Sequence, residues 1–295
     1  MAFRDLTVKT VDEADIIIAG IPYDLSASVG KGTAEAPKRL RELSEYLPPY
    51  TMGMDDIKPL KIVDIGDYHL EKNDESFEKL SEEVYNLLNK EKFTLFLGGD
   101  HAVAISTEKA FIRKAKENGK TPVLLHLDAH ADICDFYDGS VLSHATPVKR
   151  AIDNGIAKEN VVMFGIRSYE DQEVEYLKEN KEIKVFNAND LNDRLDEVIK
   201  YIKDKYSDSK YEVHLSFDID MVDPSYAPGT GTPEHFGVES KNALKLVEEF
   251  IKDLNITSMD LVEISPALDV NDITSWLGLK ILYELFYLLK VKLGK

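Results

Sequence analysis

Three short runs combine residue types and spacings that can hold metal ions. They are Asp128-Ala129-His130-Ala131-Asp132, Asp218-Ile219-Asp220 and Gly98-Gly99-Asp100-His101. In an extended segment alternate side chains share a face. Asp128, His130 and Asp132 are therefore expected to converge on one point, and Asp218 with Asp220 likewise. A lone aspartate at a strand end is ordinarily a turn former or helix cap. That reading explains a D-x-H-x-D and a D-x-D in one chain poorly.

The six candidate ligands are His101, Asp128, His130, Asp132, Asp218 and Asp220. Imidazoles and carboxylates without thiolates form a hard-to-borderline set, suited to Mn²⁺ or its neighbours rather than to a structural zinc. Calcium fits poorly, because the first run lacks the glycine and terminal glutamate of a helix–loop–helix calcium site. Six ligands are too many for one catalytic ion that keeps an open position. Two ions roughly 3.5–4 Å apart use them naturally, and a water between the ions would become the nucleophile near neutral pH. The aspartates balance two divalent cations, so a bridging hydroxide leaves the cluster net negative. Such a site suits a cationic electrophile better than a phosphate ester, although a two-metal phosphoesterase would draw on the same ligand types.

The elements that must position these runs alternate along the chain. Apolar, β-branched runs predict strands at 16–19, 61–65, 94–97, 123–127, 161–165, 183–186, 211–217 and 258–264. Amphipathic patterns predict helices at 36–47, 77–88, 102–116, 172–180, 191–206 and 241–254, with a long one from Ile273. Continuously apolar strands paired with helices predict a parallel sheet buried on both faces. No linker or low-complexity tract divides residues 1–295, so a single domain is expected. A closed barrel and an open, doubly wound sheet both fit, and both place active sites at the carboxyl ends of their strands.

Composition excludes several classes. The net charge of −18, from 36 basic and 54 acidic residues, argues against nucleic acid, whose phosphates need a basic footprint. It could steer a cationic substrate inward, or simply keep a surface solvated. The first fifteen residues carry charges throughout and have no apolar core, so no secretory leader is expected. The apolar stretch 281–289 is broken by Glu284 and too short to span a bilayer. A single cysteine, Cys134, fits a reducing compartment. A cytoplasmic protein with no membrane partner is the expectation.

Taken together, the three runs resemble the signatures of the ureohydrolases, the arginase–agmatinase family. The third extends through Ser216-Phe217-Asp218-Ile219-Asp220-Met221-Val222-Asp223-Pro224 and is followed by Pro228-Gly229-Thr230-Gly231-Thr232-Pro233. The resemblance runs from about Asp15 to the C-terminus. It implies a three-layer α/β/α fold around an open, mostly parallel eight-stranded sheet, two manganese ions per chain, and trimers or hexamers. It also implies that His101, Asp128, Asp132 and Asp218 hold one ion and His130, Asp128, Asp218 and Asp220 the other. Glu263 matches the glutamate that receives the guanidinium, a task suited to charge-assisted paired hydrogen bonds. His144 matches a histidine that shuttles protons, although Ala145 stands where the family usually has glycine.

Within the family the substrate follows from the far end of the site. The loop Cys134-Asp135-Phe136-Tyr137-Asp138-Gly139-Ser140-Val141-Leu142-Ser143 carries acidic and aromatic groups and no arginine or lysine. Asp135 and Asp138 are therefore expected to meet a substrate ammonium. That favours agmatine, hydrolysed to putrescine and urea, over guanidinobutyrate, formimidoylglutamate or arginine. Arg167 is expected to make a structural salt bridge, with carboxylate recognition the competing role. His126 and His214 are expected to be core or supporting histidines, and Asp100 and Asp223 to orient metal ligands or the loop.

Overall fold

The structure is a computed structural model and describes residues 2–295. Its eight strands are β1 (Ile16–Ile21), β2 (Ile62–Asp67), β3 (Phe93–Gly98), β4 (Thr121–Leu127), β5 (Val161–Ile166), β6 (Lys184–Asn187), β7 (Tyr211–Asp218) and β8 (Ile256–Val262). They form one sheet in the order β2-β1-β3-β8-β7-β4-β5-β6, and every neighbouring pair is parallel. The sheet is open, with β2 and β6 as its edges. The open alternative therefore holds over the barrel.

Nine helices cover the sheet among the described residues: α1 (Ala36–Ser44), α2 (Asp74–Leu88), α3 (Ala104–Glu117), α4 (Pro147–Asp153), α5 (Asp171–Glu179), α6 (Ala188–Asp193), α7 (Leu195–Tyr206), α8 (Ser240–Asp253) and α9 (Ile273–Lys292). The two-residue period of a strand sends alternate side chains into two cores. Ile16 and Ile18 pack with Leu40 of α1, Ile199 of α7, Leu246 of α8 and Leu282 of α9. Ile17 and Ala19 face the other way, with Leu80 of α2, Phe111 of α3 and Val148 of α4. Both faces are thus sealed, and the strands read as continuous apolar runs for that reason.

Two helical expectations change. The predicted helix 191–206 is two helices, because Asn187 caps α6 through Asp190 N–H at 3.0 Å and Arg194 leaves helical geometry before α7 begins. Helix α4 is not among the predicted helices; its seven residues start on Pro147, whose fixed φ suits a first helical position. No helix among the described residues is long and apolar enough to cross a membrane.

The chain runs from β3 to β4 across two places that β8 and β7 later fill. Four adjacent central strands, β3, β8, β7 and β4, therefore present their carboxyl ends side by side, at the crevice where open α/β sheets bind ligands.

One buried group is poorly served. Glu108 of α3 is in the core, and neither of its carboxylate oxygens has a hydrogen-bond partner among the described residues. Burial first, and the charge of Asp260 second, push its carboxyl well above the usual range. Asp260 is itself held by His214 Nε2 at 2.9 Å and Thr107 Oγ1 at 2.9 Å. An acid raised on folding must stay protonated, so its contribution to stability falls as pH rises from its unfolded pKa toward its folded one. Glu108→Gln removes that dependence. Thermal unfolding should show a gain at pH 8, about 2–4 °C for each kcal/mol recovered, that shrinks toward pH 5. A gain that grows on acidification would contradict this account.

Candidate metal centre

At three strand ends an aspartate folds its side chain back onto the N–H two residues ahead. Asp100 Oδ1 accepts from Ala102 N at 3.0 Å, Asp128 Oδ1 from His130 N at 2.6 Å, and Asp218 Oδ1 from Asp220 N at 2.8 Å. These turns correct one part of the reading from sequence. Asp128 lies just past β4, His101 and Asp220 sit in single 3₁₀ turns, and Asp132 has φ +49°. The ligand candidates converge because the chain turns tightly, not because they alternate along a strand.

They do converge. His101 Nδ1 lies 2.9 Å from Asp128 Oδ2, 3.0 Å from Asp132 Oδ2 and 3.3 Å from Asp218 Oδ2. His130 Nδ1 lies 3.0 Å from Asp220 Oδ2 and 3.5 Å from Asp128 Oδ1. Asp128 thus faces both imidazoles with different oxygens. One ring N–H cannot serve three carboxylates at once. His101 Nδ1, Asp128 Oδ2 and Asp220 Oδ2 are buried without hydrogen-bond partners among the described residues. Buried charge so arranged is costly unless a cation completes it, and the donor set fits two divalent ions of intermediate hardness. His126 also approaches, with Nε2 at 3.2 Å from Asp128 Oδ2 and 3.1 Å from the carbonyl of His130. A nitrogen facing two acceptors carries the proton, so His126 donates to the His130 carbonyl beside the cluster; its ring stacks on His101.

The protonation pattern shows the same strain. Burial pushes Asp218 well above the usual range, with the charges of Asp220 and Asp128 adding to it. Burial likewise raises Asp220, helped by Asp128. Burial opposes ionisation of Asp128, yet the imidazoles of His126, His101 and His130 hold it well below the usual range. Burial would lower His101, but the carboxylates of Asp128, Asp132 and Asp218 around it raise it well above an ordinary histidine.

Glu263 follows directly on β8 and bends out of the sheet at φ +62°, which ends the strand two residues earlier than predicted. A non-glycine residue there costs on the order of 1–3 kcal/mol. The bend places Glu263 Oε1 2.8 Å from the backbone N–H of His101. Gly231 lies beside its other oxygen, where a Cβ would make an ordinary 3.7 Å contact with Oε2 and a tight 3.0 Å one with the Gly30 carbonyl. Gly99 has no room for any side chain, because a Cβ would meet the carbonyl of Tyr23 at 1.8 Å. Burial, then the charge of Asp100, raise Glu263 well above the usual carboxylate range.

Beside the cluster a cleft of about 220 Å³ opens between His130, Asp132, Tyr137 and His144 on one side and Ser168, Tyr169, Glu170 and Glu234 on the other. A larger cavity, about 720 Å³, lies among the amino ends of the strands. It contains none of the clustered histidines and aspartates, so size does not identify the site. His144 Nδ1 donates to the carbonyl of Ser26 at 2.7 Å, and its Nε2 is 3.1 Å from Ser28 Oγ.

The expected role of Asp135 and Asp138 does not survive. Asp135 is 75% exposed and turned outward, 2.7 Å from Arg150 Nη2 and 3.3 Å from Lys149 Nζ. Those bases come from α4, the helix missing from the sequence reading. Asp138 is exposed in a tight turn at φ +47°, and neither residue lines the cleft. Nor does Arg167 make a salt bridge. Its five N–H groups go to the carbonyls of Gly165, Asp220, Met221, Glu234 and His235 at 2.8–3.2 Å. Asp223 ties its loop through the N–H groups of Ser225 and Gly237. Two residues carried no spacing signal in the sequence. Ser26 bonds both Asp100 and His144, and Glu234 enters the cleft from the loop that Arg167 holds.

A three-layer α/β/α molecule with this His/Asp cluster across its central strand ends is a metal-dependent hydrolase by class. Residues 14–287 match the model of the Arginase family. The chain is 35% identical to the agmatinase of Bacillus subtilis over 279 residues, covering 93% of this chain and 91% of that one. The crystal structure of the agmatine ureohydrolase of Thermoplasma volcanium superimposes with a TM-score of 0.86 at 26% identity, covering 100% of this chain and 96% of that one. The arginase of Bacillus caldovelox gives 0.74 at 27% identity, with 92% and 98% covered. The chain belongs to the arginase family, and it is a hydrolase of carbon–nitrogen bonds in linear amidines.

Plasma-emission analysis of the purified protein should find about two divalent ions per chain, as binuclear sites of this kind hold. Asp128→Asn should empty both positions, because its oxygens face both imidazoles, whereas His101→Ala should weaken mainly one. Two ions retained by Asp128→Asn would contradict this geometry.

Proposed function

We propose that the chain hydrolyses agmatine to putrescine and urea using two manganese ions. The cleft's charge supports the agmatine part of this reading. No lysine or arginine lines it among the described residues. Arg167 has every donor committed to carbonyls, and Lys149 and Arg150 are turned toward Asp135 and Asp153. A carboxylate tail, as in guanidinobutyrate or formimidoylglutamate, would meet Asp132, Glu170 and Glu234 without a counter-charge. An ammonium tail would be drawn in. The agmatinase relative points the same way.

In this reading His101, Asp128, Asp132 and Asp218 would hold one ion, and His130, Asp128, Asp218 and Asp220 the other. When bound, such a pair makes water acidic enough to attack near neutral pH and stabilises charge developing on the substrate. The chain's own residues do the rest. Ser216 Oγ, 2.9 Å from His101 Nε2, fixes that ring so that Nδ1 faces the carboxylates. Glu263, anchored through Oε1, offers Oε2 to the guanidinium N–H groups and so orients the reacting carbon. His144 donates at Nδ1 to a carbonyl, which leaves Nε2 as the basic nitrogen. It can take a proton at Nε2 and return it to the departing amine.

A urea-release screen of manganese-loaded protein tests this directly. Agmatine should give the highest kcat/KM among agmatine, arginine, guanidinobutyrate and formimidoylglutamate. Glu263→Gln should lower kcat by about 100-fold or more, as loss of an orienting group does. Preference for a carboxylate-bearing substrate would contradict the proposal.

A further inference from the structure

The acidic groups of the cleft are not equivalent. Asp132 belongs to the metal cluster. Glu173 spends both oxygens on backbone, accepting from Ile133 N at 3.0 Å and Glu170 N at 2.9 Å, and with Glu170 it forms the capping box that opens α5. Glu234 differs. Its Oε1 accepts from Ser168 Oγ at 3.1 Å and lies 3.8 Å from His130 Nε2. Its Oε2 has no partner among the described residues, and its side chain is 39% exposed and lines the cleft.

The position of Glu234 is set by the same group that sets the cluster. Arg167 Nη2 donates to the Glu234 carbonyl at 2.8 Å and to the Asp220 carbonyl at 2.8 Å. The His130 ring then lies between the two carboxylates, with Nδ1 toward Asp220 and Nε2 toward Glu234. Glu234 therefore stands one imidazole width plus 3.8 Å beyond the cluster. Six bonds separate the guanidinium carbon of agmatine from its terminal nitrogen, about 7 Å when extended, judging by the reach of a three-bond peptide repeat. An extended substrate held at the cluster is long enough to pass the His130 ring and reach the wall that carries Glu234. Tyr137 and Tyr169 line the same cleft and offer aromatic faces that favour a cation.

We propose that Glu234, supported by Ser168, is the receptor for the distal ammonium and sets the preference for an amine-terminated guanidine. The inference rests on the agmatine reading above. It assigns to Glu234 the task that the sequence alone assigned to Asp135 and Asp138. Glu234 is a binding residue and takes no part in the proton transfers.

The test compares Glu234→Gln with the unaltered protein, using agmatine and butylguanidine, which has the same four-carbon chain and no amine. Losing one charge-assisted contact should raise KM for agmatine about tenfold. KM for butylguanidine should change by less than about twofold, and kcat for both substrates by a similarly small factor, because a distant contact is alike in ground and transition states. Bound metal should be the same in both proteins. Equal effects on the two substrates, or loss of metal, would overturn the proposal and make Glu234 a support for His130. An agmatine-specific rise in KM from Glu170→Gln, with none from Glu234→Gln, would overturn it as well. Urea release from agmatine by the unaltered protein, with KM untouched in Glu234→Gln, would sink this inference and spare the agmatine reading. No urea from agmatine at all would sink both.

Discussion

Carboxylates crowd a buried imidazole nitrogen at this site, and much of the surrounding structure exists to hold them there. Three aspartate oxygens lie 2.9–3.3 Å from His101 Nδ1, nearly out of water. Like charges gathered around one nitrogen disperse unless cations or protons hold them. The scaffold that resists dispersal is covalently local and tertiarily rigid. Asp128 and Asp218 are each locked by their own turn, and those turns follow strands that lie side by side in a parallel sheet sealed on both faces. Moving one ligand would require breaking a strand end or a turn, not merely rotating a side chain.

The same constraint explains where strain is spent. Asp132 and Glu263 both occupy the left-handed region, where neither side chain is comfortable, and both point into the centre. Arg167 performs the complementary task on the outer side. By spending its donors on carbonyls from β5, the Asp220 turn and the 234–235 segment, it binds the wall of the cleft to the floor. The consequence for recognition is indirect. An arginine fully used as a clamp adds no charge to the cleft, and no lysine or arginine lines it among the described residues, so its carboxylates meet no basic side chain of that kind.

Much of this was legible in the sequence, and the parts that were not share a cause. The eight strands could be read because parallel strands buried on both faces must be continuously apolar. The three ligand runs could be read because their chemistry demands particular residue types within a few positions. Long-range partnerships leave no such trace. Asp135 looked like a free acid because its partners, Lys149 and Arg150, come from a seven-residue helix too short to show a period. Arg167 looked like half of a salt bridge because nothing in one dimension reveals five carbonyls gathered around it. Ser26 and Glu234 are single residues on loops, and only the folded chain brings them to His144 and His130. Where the ligand candidates do meet, as Asp128 and Asp132 do at His101, the cause is tight turns in place of strand alternation.

The claim on which everything else depends is that Asp128 faces two metal positions at once. Electron paramagnetic resonance of the metal-free protein titrated with Mn²⁺ tests it most directly. If the two positions share Asp128 and Asp218, two equivalents should give the spectrum of a spin-coupled pair, and Asp128→Asn should abolish that coupling. A spectrum of isolated, non-interacting ions at full loading would contradict the shared carboxylates and with them the binuclear centre.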